Sequence, residues 1–186
     1  MALRDAGKYK DAEKLAKETL GRLRSSLGET HPLTLGTMSL DAAISESLAY
    51  STARFPNEDK DDTGRRVARA ARLHKEAVDG ARVNFGLMHP LTSDIIYRYA
   101  KYLTRIREYG DGLKMATLIL PAHIKHFGED GRNTLELKEV INFLETKRDL
   151  MEAWALVGPD RKEKDSDVVK GLSLSLIHIS EPTRPY

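Results

Sequence analysis

Cysteine is absent from the 186 residues, which removes disulfide frameworks, thiolate zinc sites and cysteine nucleophiles together. A reducing, cytoplasmic setting is expected. Long apolar runs are missing as well: nowhere do about 18 apolar residues follow one another, as a spanning helix requires. Met1 to Lys10 mix charge with Gly7 and lack the apolar stretch of a signal peptide. Nor does one charge dominate. The 30 Lys and Arg residues nearly cancel the 28 Asp and Glu residues, which leaves no strong field to recruit nucleic acid or an anionic membrane. Phosphate-cradling glycine loops and nucleophile elbows are also missing. No catalysis, cofactor or small-molecule substrate is therefore expected, and a protein or peptide partner is.

Two further features carry less than they promise. His123 and His126 stand three apart, as two metal ligands on a helix would, but no third histidine or carboxylate has ligand spacing, so no metal is expected. His31 and His89 belong to linkers, and His74 takes a core-facing slot. The acidic run Asp59 to Asp62 lacks the alternation of an EF-hand and reads as a solvated insertion.

What the sequence does have is a repeat. Leu27-Gly28-Glu29-Thr30-His31-Pro32-Leu33-Thr34 returns as Phe85-Gly86-Leu87-Met88-His89-Pro90-Leu91-Thr92, and in weakened form as Phe127-Gly128-Glu129-Asp130-Gly131-Arg132-Asn133-Thr134. The glycines are 58 and then 42 residues apart. The extra length falls in a polar insertion near residues 52–64, punctuated by Pro56 and Gly64. Each string reads as a helix boundary. The glycines suit the left-handed residue that ends a helix, and Pro32 and Pro90 suit the first turn of the next, where a missing N–H costs nothing.

Apolar periodicity on either side supports that reading. Ahead of the glycines, Ala12, Leu15, Ala16, Thr19, Leu20 and Leu23 share a helical face, as do Ala70, Leu73, His74, Ala77 and Val78, and then Gly112, Met115, Ala116, Ile119 and Leu120. After them, Ile96, Tyr99, Ala100 and Leu103 sit at i, i+3, i+4 and i+7, and Leu137, Val140, Ile141 and Leu144 repeat the pattern. The helix after Thr34 fits worst. Asp41 and Ser45 fall where apolar groups belong, so its inner face is expected to shift towards Leu40, Ile44 and Leu48. Arg65, Arg69 and Arg72 read as solvated groups on an outer face, and Trp154 as a core residue of the last helix pair.

These residues resemble a known family. Gly7-Lys8-Tyr9-Lys10-Asp11-Ala12-Glu13-Lys14-Leu15 is similar to the turn and second-helix start of tetratricopeptide repeats, and the LG-x-x-HP linker resembles the kinesin light chain variety. The resemblance covers residues 1–157. It implies an all-α, tetratricopeptide-like solenoid of antiparallel helix pairs, with units of about 1–28, 29–86, 87–128 and 129–157. It also implies small residues where helices cross (Ala12, Ala70, Ala100, Ala153) and a protein-binding scaffold that is not an enzyme. The same variety occurs as the sensor region of larger nucleotide-binding receptors, which gives an alternative role with the NTPase module outside this sequence.

The family's geometry turns Asp94, Tyr97, Arg98, Lys101, Thr104 and Arg105 towards a groove, together with Lys138, Glu139, Asn142 and Glu145 from the next unit. Of these, Asp94, Tyr97, Arg98, Lys101, Arg105, Lys138 and Asn142 are the candidate partner-binding residues, with Tyr97 as the aromatic anchor. The asparagine that kinesin light chain repeats commonly place in this groove is replaced by Leu40, Arg98 and Glu139. The expected occupant is an extended peptide with acidic groups near an apolar side chain. Pro121 is expected to bend its helix after Leu120. Residues 158–186 read as a disordered tail, of which 174–184 resemble a translated sequencing adapter.

Overall fold

A computed structural model of the chain describes residues 9–52 and 60–157. Most of the insertion, the segment Ala2 to Ala6 and the whole of 158–186 therefore lie outside the described residues. Six helices follow one another: α1 (Tyr9–Leu27), α2 (Pro32–Thr52), α3 (Lys60–Phe85), α4 (Pro90–Arg105), α5 (Tyr109–Phe127) and α6 (Arg132–Val157). There is no strand among the described residues. The chain divides into two compact units, Met1–Thr146 and Lys147–Tyr186, with the division inside α6.

The linkers show how the sequence makes this order. Gly28, Gly86 and Gly128 have φ of +85°, +75° and +79°. Each donates its N–H to the carbonyl four residues back, at 3.1, 3.1 and 2.9 Å, which closes the preceding helix. The next helix is then capped by a histidine: Nδ1 of His31 accepts from the Leu33 N–H, and Nδ1 of His89 from the Leu91 N–H, both at 3.2 Å. In the third linker Gly131 takes the histidine's place, because a Cβ there would collide with the Phe127 carbonyl. One residue serves all three linkers in a way the repeat strings alone did not suggest. Thr34, Thr92 and Thr134 are all fully buried. Thr92 Oγ1 donates to the Ala81 carbonyl at 3.2 Å and Thr134 Oγ1 to the Gly128 carbonyl at 2.7 Å, tying each new helix to what precedes it.

The first compact unit has a core that runs through all six helices, from Leu20 through Met38 and Ala42, Leu73 and Ala77, Ile96 and Ala100, and Ala116 and Ile119 to Leu137 and Leu144. Sharing one apolar core among successive hairpins is what a repeat array requires, since no single hairpin buries its face alone. The helical register expected for α4 holds, with Ala100 fully buried and Lys101 exposed. Small residues do allow close crossings: Ala12 and Ala70 are buried, and a Cβ on Gly112 would lie 3.3 Å from Leu144 and 3.5 Å from the Ala100 carbonyl. α5 continues through Pro121, whose ring is on an exposed position.

Three expectations are corrected. Asp41 and Ser45 are fully buried together with Ile44 and Leu48. The face of α2 has not shifted; it is wide, because α2 packs against α1, α3 and α4 at once. Burial pushes the Asp41 carboxyl up, and the guanidinium of Arg69, bonded to it, pulls in the opposite direction. Arg69 is thus an inward partner rather than a solvated group, unlike Arg65 and Arg72, which are exposed. Finally, Ala153 is exposed and Trp154 is 65% exposed, because no described element follows α6 to cover these turns.

His74 generates a testable consequence. It is fully buried, its ring 5.7 Å from that of Tyr99 and 5.1 Å from that of Tyr102, and neither nitrogen has a hydrogen-bond partner among the described residues. Burial, assisted by the charge of Arg98, lowers its pKa from 6.5 to about 4. The unfolded chain therefore takes up a proton below 6.5 that the folded chain refuses until about 4. Stability is undiminished above that window and falls as pH drops through it, by roughly 3 kcal/mol in all. Asp41 and Glu46, both raised by burial, work in the opposite sense, so the comparison must isolate the histidine. Urea unfolding of wild type and His74→Leu should show the variant gaining relative to wild type as pH falls from about 7 to about 4. Parallel curves would show that His74 is not buried as a neutral ring.

Candidate protein-binding groove

α4 and α6 face each other across a groove of about 300 Å3. α4 contributes Lys101, Thr104 and Arg105, and α6 contributes Glu139, Val140 and Phe143. Each helix places most of its apolar i, i+3, i+4, i+7 set inward, which leaves the intervening positions, with Val140 at the edge of the set, to line the gap.

The α4 wall is basic, but the three cations of this stretch of α4 are not equivalent, and only Lys101 and Arg105 line the gap. Arg98 is paired with Asp94 one turn earlier at 2.8 Å. Arg105 reaches back to α2 and donates to Glu46 Oε1 at 3.0 Å. Glu46 is only 5% exposed. Its carboxyl is pushed up by burial and drawn down by Arg105 and, more weakly, by Lys101. Removing Arg105 would leave that carboxylate buried without its partner, so Arg105 is tied to the fold. Lys101 differs. Its ammonium lies 5.5 Å from the centre of the Tyr97 ring and makes no ion pair with a described carboxylate. Thr104 spends its hydroxyl on the Ala100 carbonyl at 2.8 Å.

Of the residues that the sequence placed in the groove, Lys101 and Arg105 line it, with Thr104 and Glu139 beside them. Asp94, Tyr97, Arg98, Lys138 and Asn142 do not. Asp94 and Arg98 satisfy each other. Lys138 turns to Glu129, at 3.6 Å from its carboxylate. Asn142 is exposed on α6. Tyr97 is half-buried against the main core with its ring 6.1 Å from that of His123, and burial next to Glu136 and Glu139 raises its pKa. It supports the wall from behind, and the aromatic ring that reaches the groove is Phe143, 47% exposed. That residue was missed because the repeat pattern assigns Val140, Ile141 and Leu144 to the core and gives no role to position 143. A signal was present nonetheless: Phe143 corresponds by repeat register to Tyr102.

Two histidines of α5 are engaged with backbone. His123 Nδ1 lies 3.3 Å from the Asn133 carbonyl and His126 Nε2 lies 2.6 Å from that of Met88. Among the described residues no three His, Cys, Asp or Glu side chains are grouped to hold a metal ion, and no described helix is long and apolar enough to cross a membrane.

A comparison with known families matches the start of the chain. Residues 1–33 match the tetratricopeptide repeat. No curated protein matches the chain. The matched stretch contains α1 and the first linker, whose geometry recurs at Gly86 and Gly128. The fold is an all-α, tetratricopeptide-like solenoid. Tetratricopeptide repeats generally mediate protein–protein interaction, and they are typically scaffolds rather than enzymes.

The ion pairing predicts unequal costs for two neighbouring cations. Arg105→Ala should destabilise the protein by about 1 to 3 kcal/mol, because the buried Glu46 loses its partner, and Glu46→Gln should recover part of the loss. Lys101→Ala should stay within about 0.5 kcal/mol. Denaturant unfolding of the four proteins checks this, and equal effects of the two alanine variants would contradict the assignment of Arg105 to Glu46.

Proposed function

We propose that this protein is an interaction scaffold of the kinesin light chain-like type, acting in the cytoplasm, and that the groove between α4 and α6 binds an extended segment of a partner protein. The observation that carries the proposal is the groove's unequal walls: Lys101 without a carboxylate on one side, and the exposed Phe143 with Val140 on the other. A segment with a carboxylate beside a large apolar side chain satisfies both at once. The carboxylate meets Lys101 while the apolar group covers Phe143, the kind of aromatic anchor that dominates binding energies.

Glu139 on the opposite rim favours a basic residue further along the segment, which sets its direction. Arg105 adds donors whose position Glu46 fixes in advance. Its charge is partly offset by the Glu46 carboxylate it is bonded to. The asparagine grip of the kinesin light chain family has no counterpart here, so side-chain contacts carry more of the recognition. An exposed groove of this size implies modest affinity that weakens as salt rises.

The test is a selection of random peptides displayed on phage against the whole chain. It should enrich sequences with Asp or Glu within two positions of an aromatic or aliphatic residue. Those peptides should lose about tenfold or more in affinity for Lys101→Glu and for Phe143→Ser, with little change for Asn142→Ala. Peptides of unrelated composition, or selected peptides that bind all three variants as well as wild type, would contradict the proposal.

A further inference from the structure

The groove between α4 and α6 is formally neutral before anything enters it. Its two cations, Lys101 and Arg105, stand opposite Glu139, and Glu46 stands behind Arg105. The two carboxylates differ in their surroundings. Glu139 is exposed and keeps water around it, whereas Glu46 is buried and accepts from Arg105 Nη1 at 3.0 Å. The Arg105 side chain is 52% exposed. One guanidinium therefore touches a buried carboxylate on one side and lines an open groove on the other. The countercharge of Glu46 comes from α4, as Arg105 and, more weakly, Lys101. Tyr102 of α4 and Tyr50, one turn further along α2, lie within reach of its charge. From α1 and α3, Glu13, Lys17 and Arg69 bear on Asp41, and Arg66 lies 3.7 Å from Glu13. Burial already raises the Glu46 carboxyl above its ordinary 4.5, against the pull of Arg105 and Lys101.

We propose, resting on the groove assigned above, that Glu46 makes binding there proton-linked: an acidic segment that shares Arg105 and Lys101 drives one proton from solvent onto Glu46. A ligand carboxylate leaves three carboxylates against two cations, and two of the three then compete for one guanidinium. Like charges brought together are relieved by neutralising one of them, and the one with the least water is Glu46. Once protonated, Glu46 still accepts from Arg105 through its carbonyl oxygen, so the guanidinium stays in place while its charge turns to the ligand. Binding thus raises the pH at which Glu46 takes up its proton. Affinity is weakest where Glu46 is ionised in both states, rises as pH falls through the bound-state value, and levels off below the free-state one. The ligand's own carboxyl, ordinarily protonated near about 4, sets the lower end of the range. A segment with an amide in place of the acid brings no third charge and takes up no proton. Glu46 therefore makes the preference for an acid over its amide grow as pH falls.

Titration calorimetry of the full chain reads the proton directly. The probes are a capped peptide carrying Asp next to Phe and the same peptide with Asn for Asp, each in two buffers of different ionisation enthalpy. With the Asp peptide, wild type should take up a fraction of a proton that approaches one, and its affinity should rise roughly threefold or more from about pH 7.5 to about pH 5. With the Asn peptide neither should occur. Glu46→Gln, neutral throughout, should bind the Asp peptide with no proton uptake and an affinity that is flat over the same range. The buffer comparison on wild type needs no substitution, so it decides even if that variant folds poorly. Binding of the Asp peptide that Lys101→Glu weakens but that takes up no proton, or uptake that persists in Glu46→Gln, overturns this inference and leaves the groove reading intact. Binding that Lys101→Glu does not weaken, or no binding at all, overturns both.

Discussion

Three of the linkers turn on a glycine held at positive φ, a backbone state that costs other residues roughly 1 kcal/mol or more. Three consequences follow from that one constraint. The preceding helix ends where the glycine N–H finds its carbonyl, the next begins at a histidine or glycine cap, and the threonine in its first turn is driven into the core. The apolar faces on either side then fall into register with one another. The shared core, and with it the position of α4 relative to α6 in the first compact unit, depends on that register.

Within this frame the polar interior of α2 is the main departure from a simple apolar stripe. Asp41 and Glu46 are buried, and each takes its guanidinium from a helix later in the chain, Arg69 in α3 and Arg105 in α4. Buried ion pairs seldom add much net stability, because desolvation offsets the attraction. Their effect here is on placement. A shifted helix would strand a charge at a cost of several kcal/mol, so the pairs penalise wrong registers more than they reward the right one. The same pairing decides which cations remain available at the groove, and so connects the interior of α2 to the recognition proposed for α4.

Much of the fold could be read from the sequence because its determinants are local. The glycine, the cap and the helical spacing of Ile96, Tyr99, Ala100 and Leu103 all act within a few residues, and the repetition of the linker gave independent copies of one message. The candidate site was only half legible. Lys101 and Arg105 were placed in the groove, and Phe143 was not, because whether a helical position is core or rim depends on the neighbouring helix. Arg69 was misjudged and the pairing of Arg105 was not foreseen for the same reason: their partners lie 28 and 59 residues away, and periodicity carries no information about pairing at such distance. Tyr97 reads as an exposed anchor from spacing alone, yet it is half-buried against the core, with the His123 ring of α5 6.1 Å away. The exposure of Trp154 was equally hidden, since a tryptophan in an apolar run reads as core unless its surroundings are known.

The claim on which the rest depends is that backbone conformation at the linkers, and not side-chain packing there, sets the register. Gly86 isolates it, because a Cβ at that position would meet no atom within 4 Å while its φ is +75°. Denaturant unfolding of Gly86→Asn, Gly86→Ala and Gly86→Val is the direct measurement. The account predicts a graded loss, smallest for asparagine, which tolerates the left-handed region, about 1 kcal/mol for alanine, and largest for the β-branched valine. Three equal losses, or a valine variant as stable as wild type, would contradict it.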